Sequence, residues 1–175
     1  MILIYYILQY LPVTRFIPIK NLKSSCTALV PYGTVGSTTL IGLNNYVRNA
    51  TPFPNKVISQ LVGHLLGDGS IQFSRTSITP YFIFTQTQKR FSYIWFVFQQ
   101  LSHYCGRYPL LNVSTRKGNS YCFINVVTRS DPKLLTLFNL FYNVKNGRAV
   151  KTINYELLPY LDEIALAYWA MDDGA

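Results

Sequence analysis

Helical spacing of apolar residues recurs along the chain after residue 55. In the first such stretch Val57, Leu61 and Leu65 lie on one helical face, and the glycine Gly67 follows, which is typical of an amphipathic helix and its end. Asn55 is a plausible N-cap for this helix. The stretches with this spacing are residues 56–67, 89–103, 131–142 and a last one that starts near residue 161.

Alternating apolar and polar positions predict strands between these helices. Two alternating runs with a short turn-forming segment between them are typical of a hairpin, and such a pair occurs twice. The stretch at 143–156 is rich in Asn, Gly, Lys and Arg and predicts a loop. The paired runs are residues 70–75 with 80–88, and residues 108–115 with 121–128.

The predicted order of helix, hairpin, helix, hairpin, helix, loop and helix indicates an α+β fold. The four strands would form one antiparallel sheet with helices on one face, which leaves the opposite face free for a ligand. Residues 1–50 show turn-forming clusters without a sustained period, so we expect an N-terminal extension there.

The charge of the chain narrows the class of partner. Lys and Arg number 16 against 7 Asp and Glu, a formal net charge of +9, which points to a polyanion such as nucleic acid. The competing interpretation is a basic protein that its charge keeps soluble. Three cysteines without a CxxC pair argue against a disulfide framework and indicate a reducing compartment.

Two further features concern the location of the protein. Many residues have codons rich in A and T (Ile, Asn, Tyr, Phe and Lys), which hints at an organellar genome, and we expect a mitochondrial or other organellar protein. The apolar run at residues 1–11 is shorter than the roughly 20 residues that cross a bilayer, so no membrane segment is predicted. A small membrane-associated protein is the competing hypothesis, since 49% of the residues are hydrophobic.

One nine-residue pattern occurs twice, as LVGHLLGDG at 61–69 and LAYWAMDDG at 166–174. Each copy is an apolar run that ends in an acidic residue, Asp68 or Asp173, followed by glycine. A carboxylate at a helix C-terminus is unfavourable unless a cation compensates, and oxygen ligands suit Mg²⁺. In a single copy the acidic residue would be explained as a turn residue before glycine, whereas its presence in two copies favours a shared divalent-metal site. Asp172 adds charge that again favours a cation.

Gly63 and Gly67 lie four positions apart on the first repeat helix and therefore share one face. Their lack of side chains would let a second helix approach closely. The second copy has Tyr168 and Asp172 at the equivalent positions, so we expect asymmetric packing of large side chains against small ones. His64 is expected to pack inside its helix, because no Cys, His or acidic residue stands at zinc spacing.

The two nonapeptides resemble the LAGLIDADG motif of homing endonucleases and the related intron maturases. The resemblance covers about residues 55–175. The matching positions are Leu61, Gly63, Asp68 and Gly69 in the first copy, and Leu166, Ala167, Asp173 and Gly174 in the second.

The resemblance implies a homing-endonuclease-like αββαββα unit whose four-stranded antiparallel sheet forms a DNA-binding saddle. Residues 51–160 would form the first unit and a linker, and residues 161–175 would be the motif helix of a truncated second unit. Such units pack through their motif helices, so the resemblance implies self-association or a complementing second half. A chain truncated in this way is expected to bind DNA weakly and to lack cleavage activity.

The resemblance also implies roles for individual residues. Asp68 and Asp173 would bind Mg²⁺ or another divalent cation and act in catalysis. A basic residue that assists the attacking water is sought among Lys145, Arg148 and Lys151, and Lys151 is preferred. The saddle would contact double-stranded DNA through residues on its strands and turns, for which the candidates are Gln72, Ser74, Arg75, Thr85, Gln86, Gln88, Arg116, Lys117, Asn125 and Arg129.

The leading hypothesis is therefore an intron-encoded, site-specific endonuclease that hydrolyses double-stranded DNA with a divalent metal. The alternative is an RNA-binding maturase that assists splicing of a group I intron without cutting DNA. The saddle and the positive charge suit both functions, so the sequence does not decide between the endonuclease and the maturase.

Overall fold

The computed structural model describes residues 48, 50, 52–74, 77–116, 118–145 and 147–173. The predicted N-terminal extension, residues 1–50, thus lies outside the described residues except for positions 48 and 50. The helices, numbered along the described chain, are α1 (Asn55–Leu66), α2 (Phe91–Leu101), α3 (Leu134–Phe141) and α4 (Glu163–Asp173).

The strands between these helices form an antiparallel sheet in the order β1-β2-β4-β3. Its topology confirms the two predicted hairpins and the α+β fold. The strands are β1 (Gly69–Phe73), β2 (Pro80–Thr87), β3 (Leu110–Arg116) and β4 (Asn119–Val127).

The core lies between one face of this sheet and the helices. Successive residues of a strand point to opposite faces, and in β2 Phe82 and Phe84 are fully buried while Ile83 between them is half-buried. Phe98 of α2 and Phe141 of α3 are also fully buried. We call the opposite face, which carries Ser70, Gln72, Tyr81, Ile83, Thr85 and Asn125, the saddle face.

The predicted loop at 143–156 is wrong, because the chain forms a second, two-stranded sheet there. Strand β5 (Tyr142–Lys145) pairs with β6 (Arg148–Lys151), and a 3₁₀ helix follows at Tyr155–Tyr160. Gly147 closes the turn with φ of 73°, a conformation that glycine adopts without steric cost. The Tyr142 hydroxyl accepts a hydrogen bond from Ile71 N at 3.0 Å and so joins this hairpin to β1.

The helix starts also differ from the sequence predictions. Helix α1 begins at Asn55, so Pro54 and not Asn55 stands at the N-cap position, and the Pro54 carbonyl accepts from Val57 N and Ile58 N. Helix α4 begins at Glu163, and the Asp162 carboxylate caps it by accepting from Ala165 N at 2.8 Å. Within the described ranges, no helix is both long and apolar enough to cross a membrane.

Candidate active site

The two repeat helices, α1 and α4, pack directly against each other. A Cβ atom added to Gly63 would lie 2.4 Å from the Ala165 carbonyl oxygen and 2.7 Å from Tyr168 Cβ. A Cβ atom added to Gly67 would lie 2.6 Å from Asp172 Cβ. Gly63 of α1 and Gly67, which directly follows α1, thus face Tyr168 and Asp172 of α4, in the asymmetric arrangement that the sequence predicts.

Asp68 lies between the end of α1 and the start of β1 and is exposed. Gln86 Nε2 donates a hydrogen bond to Asp68 Oδ2 at 2.5 Å. Partial burial and the nearby charges of Asp172 and Asp173 raise the pKa of Asp68, and the bond from Gln86 opposes that rise. Gly67, which directly precedes Asp68, packs against Asp172, which directly precedes Asp173, so the two repeats bring their acidic ends to the same place.

Asp173 ends α4 and is likewise exposed. One of its oxygens, Oδ2, accepts a hydrogen bond from Trp169 Nε1 at 3.0 Å, one helical turn earlier. Both motif carboxylates therefore stand at the C-terminal ends of paired helices, where the helix dipoles disfavour negative charge and favour a cation.

Lys151 lies at the end of β6, and its ammonium group is close to the backbone on either side of Asp68. Its ammonium group donates to the Gly69 carbonyl at 2.8 Å and approaches the Gly67 carbonyl at 3.4 Å, on either side of Asp68. Partial burial of the ammonium lowers the pKa of Lys151, while the charges of Asp173 and Asp68 oppose the change. The structure thus brings together the three residues predicted to act in catalysis.

Asp172 is expected from the sequence to add charge that favours a cation, and its charge does raise the pKa of Asp68, but its carboxylate lies inside the interface between the helices and not beside solvent. It is buried, and its carboxylate accepts hydrogen bonds from His64 Nδ1 at 2.9 Å and Tyr93 Oη at 2.6 Å. Burial, followed by these interactions with Asp172, raises the pKa of Tyr93, so its hydroxyl stays a donor. His64 is buried as predicted.

The side chains present fit a hard divalent cation with few protein ligands. Asp68 and Asp173 offer carboxylate oxygens, and Mg²⁺ in proteins commonly binds one or two carboxylates and completes its shell with water and phosphate oxygens. Among the described residues, no group of three or more His, Cys, Asp or Glu side chains is arranged to hold a metal ion. The raised pKa of Asp68, caused in part by like charges, is what a bound cation would offset.

The saddle face holds some of the predicted DNA-contacting residues. Thr85 and Asn125 pair across β2 and β4, and the Thr85 hydroxyl donates to Asn125 Oδ1 at 2.9 Å. Gln72 is exposed beside Tyr81, whose hydroxyl donates to Gln72 Oε1 at 3.3 Å. An open groove of about 410 Å³ crosses this face and is lined in part by Tyr81, Ile83, Arg107 and Asn125.

Gln86 is the exception, since the prediction that it contacts DNA from the saddle is contradicted. In β2 it follows Phe82 and Phe84 with a period of two, so it lies on the core face and is buried. Its amide holds Asp68 instead. The alternation of β2 contains this signal, since a residue two positions after a core phenylalanine shares its face.

The remaining candidates lie at the margins of the sheet. Ser74 follows β1, Gln88 is exposed in the 3₁₀ turn Gln88–Arg90, and Arg116 ends β3. Arg129 follows β4, and its guanidinium donates to the His103 carbonyl at 2.8 Å. Arg75 and Lys117 lie outside the described residues.

Comparison with known proteins identifies the family of the chain. The family model described as the LAGLIDADG DNA endonuclease family matches residues 58–175, more than half of the chain. The chain belongs to this LAGLIDADG family. The residues matched include both repeat helices, the sheet and the hairpin that carries Lys151.

Two curated relatives of this LAGLIDADG chain differ in their named activities. A probable intron-encoded DNA endonuclease 3 of Mycosarcoma maydis is 45% identical over 49 residues, which cover 27% of this chain and 36% of the relative. The cytochrome b mRNA maturase bI2 of Saccharomyces cerevisiae is 26% identical over 133 residues, covering 73% and 31% of the two chains. The chain therefore spans about a third of the length of these relatives.

A solved structure shares the fold. The homing endonuclease I-WcaI, described as bound to its DNA recognition sequence, superposes with a TM-score of 0.64 at 24% sequence identity. The match covers 79% of this chain and 63% of that chain. It confirms the predicted homing-endonuclease-like fold.

The electrostatics of Asp68 predict that Asp68→Asn raises the free energy of unfolding at neutral pH. Because the pKa of Asp68 is raised in the folded chain, the stability linked to this group is present below the unfolded pKa and is lost as pH rises through the folded pKa. Asparagine keeps the shape without the charge. Urea unfolding of both chains in acid and at neutral pH measures the difference, which we expect at neutral pH and not in acid.

Asp162→Asn provides a control of opposite sign. Hydrogen bonds from the Ser59 hydroxyl and Ala165 N lower the pKa of Asp162, so its contribution to stability is present above the unfolded pKa and is lost as pH falls through the folded pKa. This variant should be less stable at neutral pH. A loss of stability in Asp68→Asn at neutral pH would contradict the electrostatic account of the site.

Proposed function

We propose that this chain is an intron-encoded, site-specific endonuclease that hydrolyses double-stranded DNA with Mg²⁺ or another divalent cation. The observation that carries the proposal is the convergence of Asp68, Asp173 and Lys151 at the ends of the paired helices α1 and α4. Two carboxylates can hold a divalent cation beside a phosphate, and a nearby amine can take a proton from the attacking water.

Each residue has a distinct part in the proposed reaction. The carboxylates of Asp68 and Asp173 would hold the divalent cation, which when bound supplies Lewis-acid stabilisation of the phosphate charge. Gln86 orients the Asp68 carboxylate through its hydrogen bond. Lys151, whose pKa is lowered by burial of the ammonium, would take a proton from the attacking water.

The saddle face would provide binding and selectivity. Polar side chains at Gln72, Thr85 and Asn125 stand on strands that can enter a major groove, where Gln and Asn can pair with adenine. The positive charge of the chain, +9 overall, would contribute the salt-dependent attraction to phosphate. DNA recognition by I-WcaI, which shares the fold, supports this use of the sheet.

The domain plan is also a proposal. Residues 51–160 would form one unit with its linker, and α4 would be the motif helix of a second unit. A complementing second half or a second copy is the partner this plan implies. The relative named as a cytochrome b mRNA maturase supports an organellar, and specifically a mitochondrial, location.

An RNA-binding maturase is the second candidate function, because the bI2 relative carries that name and matches 73% of this chain. The same basic surface would then bind the intron transcript, and the carboxylate pair would take no part. The carboxylate convergence favours the endonuclease, since RNA binding alone gives no reason to collect like charges at one place.

A cleavage selection tests the proposed function. The wild-type chain and Asp68→Asn are incubated with a plasmid library of randomised duplex inserts, with Mg²⁺ or with a chelator, and nicked or linear products are sequenced. We expect wild type with Mg²⁺ to cut at a common sequence and Asp68→Asn to leave it intact. Failure to cut, together with tight, salt-sensitive binding of the intron transcript that encodes the chain, would support the maturase instead.

A further inference from the structure

The interface between α1 and α4 contains a buried polar network that the proposed reaction does not use. It is centred on Asp172, the residue before the second motif carboxylate. We propose that Asp172 is a positioning residue: it fixes the last turn of α4 so that Asp173 stands opposite Asp68. This inference rests on the proposed function, because it concerns the placement of that same carboxylate pair.

Both carboxylate oxygens of Asp172 are held by other elements. Tyr93 Oη, from α2, donates to Oδ1 at 2.6 Å, and His64 Nδ1, from α1, lies 2.9 Å from Oδ2. On the other side of the ring, Gln60 Nε2, an amide donor, lies 3.5 Å from His64 Nε2, which leaves Nδ1 to donate to Asp172. These two short hydrogen bonds to Asp172 fix its side chain against two helices at once.

A second set of contacts holds the backbone at the same place. The guanidinium of Arg90, which directly precedes α2, donates to the carbonyls of Met171 and Asp172 at 3.3 and 3.1 Å. Carbonyls in the last turn of a helix have no partner within the helix, and a cation there also offsets the helix dipole. The peptide that leads into Asp173 is thus held through both its side chain and its carbonyl group.

Packing alone would not require these residues. The glycines already let α1 and α4 approach closely. At Gly67 the missing side chain leaves space that Asp172 fills, since an added Cβ would lie 2.9 Å from Asp172 Oδ2. An apolar side chain at position 172 would fill that space without the cost of burying a charge. A buried charge here instead gives the end of α4 one defined orientation.

Terbium luminescence tests the placement without relying on cleavage. Tb³⁺ is a hard cation that seeks oxygen ligands, and indole sensitises its emission. Trp169 donates to Asp173 Oδ2 at 3.0 Å and so stands beside the proposed site. The chain has 2 Trp, so a Trp95→Phe background leaves Trp169 as the single indole, which is excited at a wavelength that the 14 Tyr do not absorb. Tb³⁺ is titrated into this background chain and into its variants, and the helix content of each is checked by circular dichroism.

Asp172→Asn is expected to weaken Tb³⁺ binding by about 10- to 100-fold while the chain stays folded, as substitutions behind metal ligands commonly do. Tyr93→Phe removes one donor without changing the charge, so a smaller loss in the same direction is expected. If Asp172→Asn does not fold, Tb³⁺ binding by Tyr93→Phe tests the positioning role of Asp172.

Ser59→Ala is the matched control. Ser59 Oγ donates to Asp162 Oδ2 at 2.5 Å, which is also a hydrogen bond to a carboxylate between α1 and α4, but at the opposite end of α4. This variant should lose thermal stability and yet bind Tb³⁺ within about twofold of the background chain, because the two sites are far apart. Equal weakening by Ser59→Ala at equal loss of stability would overturn the inference.

The remaining outcomes separate the two proposals. If Asp173→Asn abolishes Tb³⁺ binding while folded Asp172→Asn and Tyr93→Phe bind like the background chain, the positioning role is wrong and the metal site stands. If the background chain and Asp173→Asn give the same titration, the proposed metal site itself is wrong, and the role of Asp172 falls with it.

Discussion

Lys151→Met is expected to lower the rate of DNA cleavage at saturating DNA by about 10²- to 10⁴-fold, the usual contribution of a positioned general base. The ammonium of Lys151 lies against the Gly69 carbonyl beside Asp68, and burial lowers its pKa. A lower pKa means that the neutral amine, which can accept a proton, forms at a lower pH than in an ordinary lysine. Methionine preserves the length of the side chain and removes that function.

The pH dependence of the same reaction separates a base from a binding charge. The wild-type rate should rise with pH until Lys151 is deprotonated, and this limb should be missing in Lys151→Met. Lys151→Arg should not restore the rate, because a guanidinium stays protonated. Lys56→Met removes a positive charge at the exposed start of α1 and should leave the rate at saturation unchanged. Recovery of the rate by arginine would show that charge alone matters.

Gly63→Ala is expected to reduce the free energy of unfolding by about 1–3 kcal/mol, the usual cost of overpacking a tight interface. The added Cβ atom would lie 2.4 Å from the Ala165 carbonyl oxygen, a backbone atom that moves only if α4 moves. In an exposed helix the same change would stabilise by up to about 1 kcal/mol, because alanine is the better helix former. The steric term should exceed that gain.

Gly106→Ala is the matched control, since its added Cβ atom would lie 3.4 Å from Arg129 Cγ, at ordinary contact distance from a flexible side chain. We expect its stability to change by less than about 0.5 kcal/mol. Denaturant unfolding of both variants checks the pair. A Gly63→Ala chain as stable as wild type would mean that α1 and α4 do not pack as closely as described. Displacement of α4 should also cost cleavage activity.

The layout of the domain could be predicted from local patterns because its sheet is buried on one face. The alternation in β2 and the helical spacing in α1 both arise from packing against a common core. Gly63 and Gly67 could be assigned to a helix interface for a similar reason, since their spacing places them on one face. Helices and strands that bury one face show a regular spacing of apolar residues, and this spacing can be recognised in the sequence.

The hairpin β5–β6 leaves no such period, which explains why the loop prediction failed. Its strands have four residues each, and those of β6 are all exposed, so no core selects alternating residues there. The available signal was the Asn146–Gly147 dipeptide, a common two-residue hairpin turn. Placement of Lys151 beside Asp68 depends on this hairpin, and therefore could not be derived from periodicity.

The hydrogen-bond network around Asp172 could not be predicted from local sequence patterns. His64 and Asp172 are 108 positions apart, and Tyr93 and Asp172 are 79 apart. Their pairing depends on how α1, α2 and α4 meet in space. The sequence indicated two adjacent acidic residues at 172 and 173, but the division into a buried and an exposed carboxylate appears with the packed helices.

Anomalous diffraction from Mn²⁺ would show directly whether Asp68 and Asp173 hold a divalent cation together. Manganese, like magnesium, suits oxygen ligands, and it can be located in crystals of the chain grown with a duplex recovered from the cleavage selection. We expect an anomalous peak bound by carboxylate oxygens of both Asp68 and Asp173, at about 2.0–2.1 Å, the distance at which Mg²⁺ binds its ligands. A Mn²⁺ ion bound to DNA and protein with neither carboxylate in its coordination shell would contradict it.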